Sequence, residues 1–282
     1  VPAARPLLAL SLRSLARVAL LLGCALVGAS GLATPSPAAA GPVPVRYLEG
    51  VTHGYLVLRN AGGETLADGD LLQVVKPDGV DSRLLFRFRD GSVYDETVVF
   101  TQQKVFTLVR YHLIQRGPTF PEEMEVKMER KTGRYEVRAR RGGDEPETVT
   151  GELDLAPDVY NGMMIMLLKT LAKGVTETVH NVAFTPKPLV IQLELASVGE
   201  ETVMAGDRKV EATHFVMTPK LGLVRGAAAA VLGKTPPNYH CWVVTSGLPA
   251  FVAIDGPLYT GGPIWRIETV SPRGPGRLTP SR

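Results

Sequence analysis

One stretch, Met124 to Arg140, constrains this chain more than any other. Met124, Val126 and Met128 alternate with Glu125, Lys127 and Glu129, and beyond the turn Tyr135, Val137 and Ala139 alternate with Arg134, Glu136 and Arg138. A period of two is the mark of strands with one wet face and one buried face. Folding the stretch about Arg130–Gly133 sets Glu129 opposite Arg134, Lys127 opposite Glu136 and Glu125 opposite Arg138. Met128 then meets Tyr135, and Val126 meets Val137, on the other face. A slip of one residue would turn every apolar side chain outward, so the pattern fixes the register.

The same signals recur along the chain. Turn residues stand at Asn60–Gly63, Pro77-Asp78-Gly79, Asp90-Gly91, Gly117-Pro118 and Gly142-Gly143, with runs rich in Val, Leu, Phe, Tyr and Thr between them. This predicts an antiparallel meander from Tyr47 to Val149. Strands are expected again at Thr176–Phe184, Pro188–Ala196, Lys209–Thr218, Tyr239–Thr245, Phe251–Ile254 and Ile264–Val270. Pro157 to Gly174 breaks the pattern: Tyr160, Met163, Met164, Leu167, Leu168 and Leu171 recur at helical spacing, with Asp158 placed to cap and Gly174 to stop. A helix so apolar must be covered. The expectation is mainly β: a single curved antiparallel sheet, half-barrel-like, packed around one apolar helix. A short helix is also expected at Arg225–Leu232.

Of the 282 residues, 45% are hydrophobic and 21% charged, and the net charge is +3. The excess sits at the ends. Setting aside Arg5, Arg13, Arg17, Arg273, Arg277 and Arg282 leaves 25 basic residues against 28 acidic ones. No nucleic-acid partner is expected of such a body. Residues 1–40 read as a signal peptide: Arg13 and Arg17, the apolar run Val18–Ala33, and Ala38-Ala39-Ala40 before Gly41. Cleavage is expected after Ala40, or else after Ala29. The run has 16 residues, short of the roughly 20 that span a bilayer. Leu21-Leu22-Gly23-Cys24 also has the form of a lipobox, which leaves a lipoprotein acylated at Cys24 as the lesser alternative. The chain thus divides into a signal peptide (1–40), a β-rich envelope domain (41–270) and a disordered tail (271–282), and its expected location is periplasmic or secreted. With Cys24 removed, Cys241 has no disulfide partner.

Chemical motifs are scarce. His53, His112, His180, His214 and His240 form no closely spaced pair of metal-ligand type, so no metal is assigned. His240 and Cys241 are neighbours on one strand and point to opposite faces, which excludes a dyad. The chain has no nucleophile elbow, no P-loop and no G-x-G-x-x-G, and no cofactor is assigned. The carboxylates Asp95-Glu96, Glu122-Glu123 and Glu200-Glu201 read as solvated strand positions. Two features go beyond this. Met163 and Met164, with Leu167, Met204 and Met217, suit an adaptable apolar pocket, and equally a plain core. Tyr259 and Trp265 lie in Gly256–Tyr259 and Gly262–Glu268, segments suited to the rim of a cavity or to tight turns between short strands.

Several blocks carry a resemblance: Leu113–Pro121, Asp158–Met163, Phe184–Pro188, Leu232–Pro237, Gly256–Tyr259 and Gly262–Glu268. Together they resemble an uncharacterised family of exported, β-rich bacterial proteins over most of 45–270. The resemblance implies no activity and assigns no catalytic residue. In shape alone, a long sheet curling around an apolar helix is similar to the lipoprotein-carrier half-barrels of the bacterial envelope. The functional expectation is a non-catalytic periplasmic module that binds a hydrophobic molecule such as a lipid or acyl chain, or an envelope protein. The alternative is an envelope hydrolase or transferase, for which His112, His240 or Asp255 would have to converge with a nucleophile.

Overall fold

The computed structural model describes residues 41–184, 188–220 and 236–271. The expected signal peptide with Cys24, the expected helix at Arg225–Leu232 and the expected disordered tail beyond Ser271 lie outside the described residues. Fourteen strands form one antiparallel sheet: β1 (Thr52–Arg59), β2 (Thr65–Lys76), β3 (Gly79–Phe88), β4 (Val93–Gln102), β5 (Phe106–Arg116), β6 (Glu122–Glu129), β7 (Arg134–Arg141), β8 (Glu147–Glu152), β9 (Thr176–Ala183), β10 (Leu189–Ala205), β11 (Arg208–Lys220), β12 (Tyr239–Val244), β13 (Ala250–Pro257) and β14 (Ile264–Val270). Their order in space is β8-β7-β6-β5-β4-β3-β2-β1-β14-β13-β12-β11-β10-β9, so the sheet is open, with β8 and β9 at its edges.

The β6–β7 hairpin has the register its alternation dictates: Val126 pairs with Val137, Met128 with Tyr135, Lys127 with Glu136 and Glu125 with Arg138. The sheet curls until its arms meet. Tyr111 of β5 stacks on Phe184, just beyond β9, with ring centroids 5.8 Å apart. Phe120, which follows β5, meets Tyr259, which follows β13, at 5.5 Å. A single core runs along this concave side and contains Phe86, Phe100, Leu108, Val179, Phe215 and Val243.

The segment joining the two edge strands fills the hollow, as a shorter helix than the sequence predicts. α1 spans only Met164–Thr170. Residues 158–163 are held instead by the sheet. Tyr160 N–H donates to the His180 carbonyl and His180 N–H to the Asp158 carbonyl, a parallel bridge that covers part of the β9 edge. The Asn161 side chain pairs with both backbone groups of Val182, and Gly162 takes a φ of 71°. Asp158 therefore caps nothing; its carboxylate holds His180 Nδ1 at 2.8 Å. Long-range pairing outweighs the local helical spacing. Met163, Met166, Leu167, Leu168 and Leu171 are all buried, which satisfies the apolar stripe without a full-length helix. At the centre, the Tyr160 hydroxyl accepts from Val43 N–H and donates to the Phe106 carbonyl.

The β10–β11 hairpin is longer than its neighbours and does not stay in the sheet plane. Its register shifts between Ser197 and Gly199, and beyond that bulge it arches over the outer face of β12–β14. At its tip Gly206 N–H donates to the Thr269 carbonyl at 3.2 Å. Beneath the arch lies a second, small core of Ala212, Trp242, Val252 and Ala253, flanked by Val203 and Val210.

Candidate functional site

The inward row of β4 reads Tyr94, Glu96, Val98, Phe100. Asp95, one residue away, faces outward and forms a two-pronged ion pair with Arg83. Glu96 therefore brings a carboxyl into an apolar row, where burying a charge is costly unless it is compensated. Its compensation consists of phenols. Tyr111 Oη donates to Glu96 Oε1 at 2.9 Å and Tyr94 Oη at 3.3 Å. Gly162 closes over the group: a Cβ there would lie 3.4 Å from Glu96 Cδ and from Val98 Cβ. Protein atoms crowd Glu96, yet solvent still reaches part of it.

Electrostatics follow from the crowding. Burial raises the Glu96 carboxyl above its ordinary range, against the opposing hydrogen bonds of Tyr111 and Tyr94. The same burial, with the charge of Glu96 added, pushes Tyr94 and Tyr111 well above the usual phenol range and raises Tyr239 of β12. The other buried carboxylates on this side have basic partners: Glu49 meets Lys169 at 2.5 Å, and Asp158 meets His180 Nδ1 at 2.8 Å. Glu96 meets none among the described residues. Gln115, paired across β4–β5 with Tyr94, adds an unmatched acceptor. Its Nε2 donates to the Glu122 carbonyl, but Oε1 is buried without a partner among the described residues. Gln115 Oε1 thus lacks a donor, an uncommon and costly state for a buried group, while Glu96 has its phenol donors but no cation.

Beside them stands an aromatic wall. Phe88, Phe120, Tyr259 and Trp265 form a closed ring of contacts with centroids 5.5–5.9 Å apart. Tyr94 joins it through Phe120 at 6.5 Å. Tyr259 and Trp265 come from the sequence-selected set, and so they border this site. Met163, Leu167 and Met217 are fully packed in the core, with α1 filling the hollow in front of them, and Met164 is partly buried. Met204 does not join them: it lies on the arched hairpin, 46% exposed. The central residue, Glu96, differs from the solvated strand carboxylate that the sequence suggests. Its signal was the parity of β4, which places a charge among Tyr94, Val98 and Phe100.

The residues of the hydrolytic alternative do not converge with a nucleophile. His112 faces Glu125 at 3.1 Å on the outer side. His240 and His214 share a 3.0 Å contact, Glu201 holds His214 Nδ1 and Trp242 Nε1 at 2.8 Å each, and Arg266 binds Asp255. Among the described residues no hydroxyl or thiol joins these histidines. The cluster stitches the arched hairpin to the sheet. Cys241 points to the inner face, where burial drives its thiol far above the usual range. No group of three His, Cys, Asp or Glu placed to hold a metal ion, and no helix long and apolar enough to cross a membrane, occurs among the described residues. No family model, curated protein or solved structure matches this chain.

Proposed function

We propose that this chain is an exported, non-catalytic binding module, periplasmic or secreted, whose aromatic-lined patch beside Glu96 takes a hydrophobic ligand with a hydrogen-bond-donating head. The observation that carries the reading is the pairing of Glu96, a carboxyl without a cation, with the orphaned Oε1 of Gln115 on one aromatic-lined face. A primary ammonium carries three donors and a positive charge, which suits two acceptors bordered by tyrosine rings. An acyl carboxylate would meet repulsion from Glu96. The partly exposed Tyr239, Leu258 and Tyr259 supply the apolar surface along which the ligand's chain lies.

Titration with dodecylamine, dodecanol and laurate, followed by native mass spectrometry, tests this. The amine is expected to bind, the alcohol more weakly and laurate least. Glu96→Gln is expected to remove the preference for the amine. Equal binding of laurate, or an unchanged preference in the variant, would refute the assignment.

A further inference from the structure

At one end of the sheet a loop is held rigid while its apolar side chains face water. Residues 46–51 are pinned from below. Arg46 N–H donates to Thr170 Oγ1 at 2.9 Å, Glu49 N–H to Gln102 Oε1 at 2.6 Å, and Gln102 Nε2 back to the Glu49 carbonyl at 2.8 Å. The Glu49 carboxylate is buried against Lys169 of α1. A buried ion pair is a poor source of stability, so this one serves mainly to fix position. Between the anchors Leu48 is 72% exposed and Tyr47 is exposed as well, and Val51, just beyond them, is 76% exposed. The pairing of Thr52 with Gln73 brings the end of β2 alongside, where Leu72, Val74 and Val75 are exposed as well. Single exposed apolar residues are ordinary; a contiguous group on an anchored loop marks a docking surface.

The charge at this end selects the occupant. Arg46 and Lys104 are exposed at this end and have no ion-pair partner among the described residues; Lys76 at the end of β2 is paired with Asp81, and Asp78 is exposed in the turn that follows. Residues 44 and 45 tie the loop to the β4–β5 turn: Val45 N–H bonds the Lys104 carbonyl and Pro44 bridges Val105. Exposed apolar side chains beside two unpaired cations fit an anionic lipid surface. We infer that the end of the sheet formed by residues 46–51 and 72–76 docks on an anionic bilayer, with Leu48 and Val51 inserted among the acyl chains. This inference is independent of Glu96 and its ligand.

The test uses the full chain with vesicles of equal parts phosphatidylcholine and phosphatidylglycerol. Residues 46–51 and 72–76 are expected to gain hydrogen-exchange protection on vesicle addition, and to lose it in high salt or with phosphatidylcholine alone. The double variant Leu48→Asp/Val51→Asp should partition at least about tenfold less, a drop typical of losing two buried aliphatic anchors. Leu248→Asp, an equally exposed leucine in the β12–β13 turn, should leave both readouts unchanged. Both leucines and Val51 are exposed, so all variants are expected to keep the wild-type unfolding midpoint. Protection confined to other segments, or partitioning that survives both aspartates, overturns the inference.

Discussion

Glu96→Gln should stabilise the fold at neutral and alkaline pH, although it removes the group on which the proposed ligand binding rests. Glutamine keeps a carbonyl oxygen where Tyr111 and Tyr94 donate, so the hydrogen-bond geometry is preserved. Turning two charge-assisted bonds into neutral ones costs about 1 kcal/mol each. Against this, the substitution abolishes the desolvation of a buried carboxylate, a penalty of several kcal/mol. Burial outranks both phenol bonds as an influence on Glu96, so removing the charge wins. A net gain of about 1 kcal/mol is a reasonable scale, since each unit by which a carboxyl titrates above its unfolded value is worth about 1.4 kcal/mol. The sign fixes the pH window. Because the folded group holds its proton more tightly than the unfolded one, wild-type stability falls as pH rises from the unfolded pKa through the raised folded value. The variant lacks that loss. Urea unfolding of both proteins between pH 4 and pH 8, compared at each pH, should show curves that nearly coincide at the acid end and separate in favour of the variant above it. A variant that is less stable at pH 8, or a difference independent of pH, would refute the reasoning.

Gly162→Ala should cost about 1 kcal/mol or more, because φ is 71° and the new methyl meets Glu96 and Val98; a lower urea midpoint with weaker dodecylamine binding checks it. Cys241, buried with its thiol driven far above the usual range, should resist a thiol reagent in the native protein and react once urea unfolds it. Its labelling is followed by the mass of the peptide that contains it. Hydrogen bonds from Trp242 first, then His214, hold Glu201 below the ordinary carboxylate range. The stability it lends the arched hairpin should therefore be present at neutral pH and lost as pH falls through that lowered value. Protection factors for residues 199–212 should drop in acid, and Glu201→Ala should show the same loosening already at neutral pH.

Register was legible where alternation and turn chemistry agreed, as in the β6–β7 hairpin. The partners of the outward charges were only partly legible: Lys127 reaches Glu136 at 3.9 Å as its register dictates, but the other pairs differ. Glu125 bonds Lys127 and His112 rather than Arg138, and Arg134 reaches Glu152 on β8. Long side chains on a twisted surface choose among several neighbours, each worth little. The helix was half legible: its stripe of buried residues is real, but local spacing carries no information about a β9 edge waiting to bond Asp158 and Tyr160. Asp95 and Glu96 look alike as neighbouring carboxylates, and only their parity against Tyr94 and Val98 separates them. The arched hairpin could not be read, because alternation continues through a bulge and does not say which way a long strand bends.

Every neighbouring pair of strands in the sheet but one is consecutive in the chain. The exception is β1–β14, where Arg59 and Glu268 form an ion pair across 209 residues of sequence. The kinetic consequence is a seam. The arms β1–β8 and β9–β14 can each zip from local hairpins, which form in microseconds, whereas the joint between them must wait for the closure of nearly the whole body. Loop-closure entropy grows only logarithmically with length, so the delay is bounded, but it falls on a single step. Until β14 arrives, β1 presents a bare edge to any other strand in reach. Chains cut before Ile264 would keep that edge open permanently and would be expected to aggregate through it.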